Sequence, residues 1–314
     1  AVAAFSTVTV GLGLLLSWWY ARMQRRAPQY AVVTGKGYRP RLLALSGGGK
    51  TLAIAFVAIY LFLSQLLPVL VIVWTSTVQF PQPPSGAAIA TMSFANYAHL
   101  PMPMVWRGLK NTGILMVLAP IITLAIALSI SWLVLRSRVP GRALFDFIAF
   151  LPLSVPSIVF SMAALVLALF VLNRALPIYG TVWLLLLVYV VSRISYATRI
   201  TNSALIQIHR ELEDAAQMAG AGLGGVVRRV LAPLLRPSLG YAFIWIALLT
   251  YRELTVPVLL STNDNLPLSV EIWNLWTASQ FAPASAIVVI MLVAMMPLIY
   301  LGFWVSRGRA LADR

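Results

Sequence analysis

The sequence predicts an all-α fold, a polytopic transmembrane helical bundle of about seven spans. Three observations carry this expectation. Hydrophobic residues make up 61% of the 314 residues and charged residues only 10%, more apolar surface than a soluble domain of this length can use. The apolar residues fall into segments long enough to cross a bilayer, which takes roughly 20 residues of helix. The 23 Lys and Arg residues, set against 8 Asp and Glu, gather in alternate connecting segments, the asymmetry that orients membrane proteins.

Each element follows in order. Residues 1–20 form the first apolar segment, and their positive neighbours Arg22, Arg25 and Arg26 come after it. A signal peptide carries its charges before the apolar stretch, so 1–20 reads as the last transmembrane helix of an upstream half. Residues 21–50 read as a cytoplasmic linker. Residues 51–106 read as a span, 51–78, and an outer wet loop rich in proline: Pro81, Pro83, Pro84, Pro101 and Pro103. The remaining spans are placed at 107–135, 143–172, 180–204, 238–261 and 283–305, with 306–314 as a cytoplasmic tail. Between the last two spans, Asn263-Asp264-Asn265 signals a turn. Val270, Ile272, Trp273 and Trp276 then share a helical spacing suited to a short interfacial helix, where Trp is favoured.

Charge fixes the orientation. Seven basic residues lie in 21–50, three in 136–142, five in 199–236 and three in 307–314, so 18 of the 23 fall on one side. That side is expected to be cytoplasmic. The outer side holds Arg107, Lys110, Arg174 and Arg252, and Arg193 lies in or near a span. The net charge of +15 is thereby explained by topology, and no nucleic-acid partner is expected. With no cysteine and only His99 and His209, far apart in sequence, no disulfide framework, cysteine nucleophile or metal site is expected, and no cofactor is assigned.

The most informative stretch lies on the basic side, in residues 205–237. It reads Glu211-Leu212-Glu213-Asp214-Ala215-Ala216-Gln217-Met218-Ala219-Gly220 and continues to Val230-Leu231-Ala232-Pro233. Two alanines permit close approach of another surface to a short helix, and Gly220 can end that helix at φ > 0. Leu223–Leu231 is expected to form a second short helix that Pro233 breaks. The stretch resembles the coupling motif of ABC importer permeases, Glu-Ala-Ala, Gly, then Ile-x-Leu-Pro, with Asp214, Val230 and Ala232 replacing Glu, Ile and Leu. The alternative is an ordinary helical hairpin in a cytoplasmic loop.

Residues 107–305 are similar to the transmembrane domain of type I ABC importers, and several stretches resemble the second half of ferric-iron permeases. Among these are Phe150-Leu151-Pro152-Leu153-Ser154-Val155-Pro156, Tyr251-Arg252-Glu253-Leu254 and Leu268-Ser269-Val270-Glu271-Ile272-Trp273. The resemblance implies a transport subunit without catalytic residues, working with a cytoplasmic ABC ATPase dimer, a periplasmic substrate-binding protein and a second permease half, fused upstream or separate. It also implies a multi-pass place in a bacterial or archaeal inner membrane. By resemblance, Glu213, Asp214, Ala215, Ala216, Gly220, Val230 and Pro233 contact the ATPase.

Four further residues are candidates for the translocation pathway. Arg252 and Glu253 sit near the outer part of a span, where charges face a cavity or a partner; the alternative is a structural pair at the interface. Pro152 and Pro156 interrupt 143–172, either to line the path or as a packing kink. Asp146 is expected to cap its helix or pair with Arg142 or a neighbour, and Arg193 and Arg199 to snorkel. Ser46-Gly47-Gly48-Gly49-Lys50-Thr51 lacks the further glycine of a phosphate-binding loop and reads as linker. Transport of another small solute (a polyamine, a phosphonate or thiamine) stays open, as do an ion-coupled transporter and a non-transporting scaffold.

Overall fold

The computed structural model describes residues 8, 11–16, 18–19, 22, 46–172 and 175–312. The expected span 1–20 and linker 21–50 fall mostly outside the described residues. Among the described residues every regular element is helical, so each helix satisfies its own backbone, as the bilayer core demands. The chain divides into two compact units. One is built around Pro103–Glu271, the other around the described residues from Arg22 to Met102 together with Ile272–Val293.

In the second unit, α1 (Gly48–Thr77) is a 30-residue helix, so Gly48, Gly49 and Lys50 open a helix where linker was expected. The outer stretch after it folds onto its end. Two short helices, α2 (Gly86–Ala90) and α3 (Ala95–Ala98), lie there. Asn96 Nδ2 donates to the Ser76 and Val78 carbonyls at 2.9 and 2.8 Å, and Tyr97 Oη donates to Ser76 Oγ at 2.8 Å.

The first unit is organised by α4 (Met102–Arg136), 35 residues long, and α7 (Val182–Ile206), which carries the most deeply buried side chains, among them Leu185, Tyr189 and Leu205. Leu124 and Ala127 of α4 meet Ala197 of α7 and Ala242 and Ile246 of α9 (Gly224–Tyr251) in one cluster. Its three alanines let the helices approach closely, which is how helices associate where water supplies no hydrophobic drive. After α9 come α10 (Thr255–Leu260), α11 (Leu268–Thr277) and α12 (Phe281–Ala312).

Two expectations are corrected, and a further segment bends where its prolines lie. In 143–172, α5 (Arg142–Phe150) runs into a 3₁₀ turn at Leu151–Ser154, and α6 (Ser157–Val166, extended by a π turn to Leu172) leaves at 105°. Pro156 forces the break, because the residue before a proline is excluded from the helical region and Val155 stands at φ −97°, ψ 122°. Pro233, by contrast, breaks nothing, and α9 passes through it. A π turn at Val227–Leu231 lies immediately before it. The same pairing occurs in α1, where a π turn at Phe62–Leu66 precedes Pro68. A proline ring clashes with the carbonyl four residues earlier, and the wider π turn moves that carbonyl aside and bonds it one residue further on. The last correction concerns 238–261: α9 begins earlier and stops at Tyr251, and a turn separates it from α10.

By length and composition, α1, α4, α7, α9 and α12 can cross a membrane among the described residues, and the bent α5–α6 pair makes a sixth crossing if counted as one.

Candidate functional site: the loop between α7 and α9

The loop on the basic side contains one helix, α8 (Arg210–Met218). Its start is favourable by charge, since Glu211 and Glu213 occupy the first turn and complement the helix dipole. Its end is a Schellman turn. Gly220 stands at φ +84°, its N–H donates to the Gln217 carbonyl at 2.9 Å, and the Ala221 N–H reaches back to the Ala216 carbonyl at 3.0 Å. That pair of bonds is the standard αL ending, and it lets the chain reverse into α9.

The two faces of α8 differ. Asp214, Ala215 and Gln217 are exposed, and Met218 is 89% exposed. Ala216 is half-buried and packs with Ala221 on a cluster of Ala204, Leu205, Ile208, Val226, Leu231 and Leu235. Val230 is half-buried and Pro233 exposed on α9. Glu213 departs from its group: it is buried, and its Oε1 accepts from Arg136 Nε at 2.7 Å.

That contact belongs to a larger junction. Arg136 Nη2 also donates to the Leu205 and Ile208 carbonyls at 3.1 and 2.7 Å, at the point where α7 ends; the Leu205 carbonyl also accepts from the Ile208 N–H at 3.2 Å. In return, Arg210 of α8 donates to the Leu135 carbonyl at the end of α4. Arg136 therefore holds the end of α7, and Arg210 holds the end of α4, the helix that carries Arg136. A cleft of about 210 Å³ adjoins the junction, lined by Trp132, Arg136, Arg210, Glu213, Asp214 and Leu231 among others, so Asp214 stands at its edge.

The pathway candidates separate. Arg252 is exposed, whereas Glu253 is paired with Arg193, their side chains 13% and 11% exposed. Glu253 Oε1 also accepts from the Thr255 N–H at 3.1 Å, which ties the start of α10 to the middle of α7. Pro152 lies in the 3₁₀ turn and Pro156 at the break. Ser195 donates to the Ala149 carbonyl at 2.8 Å. Arg199 pairs with Asp146 at 2.6 Å and lies 5.1 Å from the Phe150 ring centroid. Asn202 donates to the same carboxylate at 3.3 Å. Ser195, Arg199 and Asn202 are spaced to share one face of α7, and together they hold α5. The expected snorkelling of Arg193 and Arg199 is thus corrected, since both are drawn inward by carboxylates, and Asp146 finds Arg199, not Arg142.

At the outer end of α4, Asn111 Nδ2 donates to the Leu266 carbonyl at 3.1 Å, Arg107 to the Asn263 carbonyl at 3.2 Å, and the Leu268 N–H to Thr112 Oγ1 at 2.9 Å. Gly108 permits this contact: a Cβ there would stand 3.3 Å from Leu268 Cα. Asn265 closes the turn, its Oδ1 accepting from the Thr262 N–H at 2.6 Å and its Nδ2 donating to the Thr181 carbonyl at 2.9 Å. Glu271 is buried nearby. Burial raises its carboxyl pKa, and the Arg107 charge offsets part of the rise.

Sequence reasoning did not find the Arg136 and Arg210 junction. The only local signal was a basic residue at the last turn of α4.

A family model described as the binding-protein-dependent transport system inner membrane component matches residues 121–309. The chain belongs to this family. Among its relatives, the Fe(3+)-transport system permease protein FbpB 2 of Haemophilus influenzae is 25% identical over 285 residues, 90% of this chain and 53% of that protein. This family member therefore spans about half the length of that iron permease. The trehalose transport system permease protein SugB of Mycobacterium tuberculosis is 29% identical over 243 residues, 74% of this chain and 85% of its own. In fold, the permease resembles a chain of a bacterial ABC transporter involved in import of the acidic polysaccharide alginate. That likeness has a TM-score of 0.62 at 20% identity, and covers 85% of this chain and 99% of the other.

Proposed function

We propose that this chain is the membrane-spanning permease subunit of an ATP-driven, binding-protein-dependent importer, and that α8 is the surface on which a cytoplasmic ATPase acts. One observation carries the reading. On the basic side of the membrane, a short helix is held from behind by Arg136 and Arg210 while Asp214, Ala215 and Met218 stand outward. A helix so anchored can transmit a push. ATP binding works by favouring one of two permease states, and α8 passes that bias inward. A periplasmic binding protein delivers the solute, and a second permease half, fused upstream or separate, completes the path. Asp214, Ala215, Ala216, Gly220, Val230 and Pro233 form or shape the contact. Glu213 acts from behind it, because its carboxylate faces Arg136. Domain by domain, 107–305 is the transport domain and 205–237 its coupling loop.

Ferric iron is the proposed solute, supported by the likeness to an iron permease over most of this chain. A sugar is the second reading, supported by the trehalose permease at 29% identity. The test is ATP-dependent uptake of radiolabelled ferric iron into proteoliposomes that hold the permease, its ATPase and its binding protein, with and without Gly220→Pro. Uptake lost in the variant is expected. Absence of iron uptake alongside hydrolysis stimulated by the binding protein would discard iron and keep the importer. Absence of both would discard the importer.

A further inference from the structure

We infer that Arg136 is the positioning residue through which movement of α8 reaches the membrane helices. The inference rests on the functional reading above and names the device by which that site works. Three observations converge on this one side chain. It sits at the last turn of α4, a helix of 35 residues, which at 1.5 Å per residue is a rod of about 50 Å. Its guanidinium bonds three acceptors on two other elements: Glu213 of α8, and the Leu205 and Ile208 carbonyls where α7 gives way to the loop. And the pair is largely shielded, with side-chain exposures of 10% and 12%, so water does not compete freely for the contacts.

Geometry explains the choice of residue. The guanidinium presents donors in a fixed planar fork, so satisfying three acceptors at once fixes the relative positions of the three segments. Arg210 adds the return contact, from α8 to the Leu135 carbonyl one residue before Arg136. A displacement of α8 that left α4 and the end of α7 behind would have to break the Arg136–Glu213 and Arg210–Leu135 contacts together, while the bonds from Arg136 to the Leu205 and Ile208 carbonyls hold the two helix ends in register. The π turn at Val227–Leu231 on the opposite flank of the loop lacks any comparable set of charged contacts among the described residues. The ionic junction therefore carries the load on the α4 and α7 side, and packing carries it on the α9 side. The sequence separations, 77 residues for Arg136–Glu213 and 69 for Arg136–Leu205, mean that no local motif announces the clamp.

The test exploits the absence of native cysteine. Nitroxide labels are placed at Arg138→Cys, just beyond α4, and Glu211→Cys, in the first turn of α8 and outside the proposed ATPase contact, both exposed positions. Their separation is measured by pulsed spin resonance in the full permease–ATPase complex in nanodiscs, without nucleotide and with ATP trapped. In the otherwise native permease the separation should be the same in both states. With Arg136→Gln it should shift or broaden when ATP is trapped. Basal hydrolysis should persist, while its stimulation by the binding protein should fall roughly tenfold, the scale of a lost coupling energy. Arg136→Lys keeps the charge opposite Glu213 but lacks the fork, and is predicted to give the same shift at smaller amplitude; it serves if Arg136→Gln fails to assemble. Identical distances and identical stimulation in native and variant complexes would overturn the clamp alone. A native permease that recruits no ATPase would overturn the functional reading, and the clamp with it.

Discussion

The two ends of α4 hold loops by different chemistry. At the outer end, Asn111, Thr112 and Asn265 pin residues 262–268 mainly with amide and hydroxyl hydrogen bonds to backbone groups, and Arg107 adds a single exposed guanidinium contact to the Asn263 carbonyl. At the inner end, Arg136 and Arg210 pin residues 205–213 with guanidinium contacts to helix-terminal carbonyls and to Glu213. Neutral bonds to backbone suit a loop that only has to keep its shape. Charge-assisted bonds are about twice as strong, and they suit a junction that bears load. The outer loop buries Asn265, which is 2% exposed, and leaves only its tip, Asn263 and Asp264, in solvent. The inner loop leaves one face of α8 in solvent. The proposed ATPase contact lies at the end that is held by charge-assisted bonds and leaves a helix face exposed.

The largest effect should come from the bundle between those ends. Arg193→Gln leaves the Glu253 carboxylate without its partner. Breaking a buried pair from one side costs about 3–5 kcal/mol, which should read as a large drop in thermal unfolding temperature in detergent. The double change Arg193→Met/Glu253→Leu should recover most of it. If the single variant is as stable as the parent, the pair does not hold α7 to α10.

Next comes the outer end. Asn111→Ala removes the donor to the Leu266 carbonyl, and a buried acceptor left unsatisfied costs about 1–3 kcal/mol. Hydrogen exchange should speed up in residues 262–268 and stay unchanged in α8. Acceleration of both would mean that the two ends are not independent.

At the inner end, Gly220→Ala forces a Cβ into φ +84° although space is open around it. The strain alone should cost about 1–2 kcal/mol and fray the end of α8, measurable as faster exchange of Ala219–Ala221. Gly220→Asn should cost less, since Asn tolerates this region. Equal costs would show that the conformation is not what matters there.

The smallest effect concerns pH. The folded Glu271 carboxyl has a raised pKa because it is buried. The folded state then binds a proton more readily than the unfolded state, so stability should fall as pH rises from the ordinary carboxylate range through the folded value. Glu271→Gln should flatten that slope. An unchanged slope would assign it to another group.

Much of this architecture was legible because its signals are local. Apolar length gave the crossings from α1 onward, Gly220 announced the αL ending, and the Ala215-Ala216 pair marked the short helix. What was not legible depends on distant partners. Asp146 and Arg199 lie 53 residues apart, and Arg193 and Glu253 60, so each charge looked solitary and snorkelling was the reasonable expectation. The proline effects also needed the structure. Pro156 and Pro233 are equivalent as residues, yet Pro156 stands at a break behind the extended Val155, while Pro233 lies in a continuous helix just after a π turn.

The claim that matters most is that the exposed face of α8 is where the ATPase sits. Single cysteines at Ala215 and Met218 on an otherwise cysteine-free chain, with a third at the outward Phe170, 81% exposed, can be followed by the rate of thiol labelling in the purified permease before and after the ATPase is added. The account predicts that labelling at 215 and 218 slows at least roughly tenfold in the complex, as expected for burial in a protein–protein interface, while labelling at 170 is unchanged. Undiminished labelling at both loop positions, in a complex that still hydrolyses ATP, would contradict it.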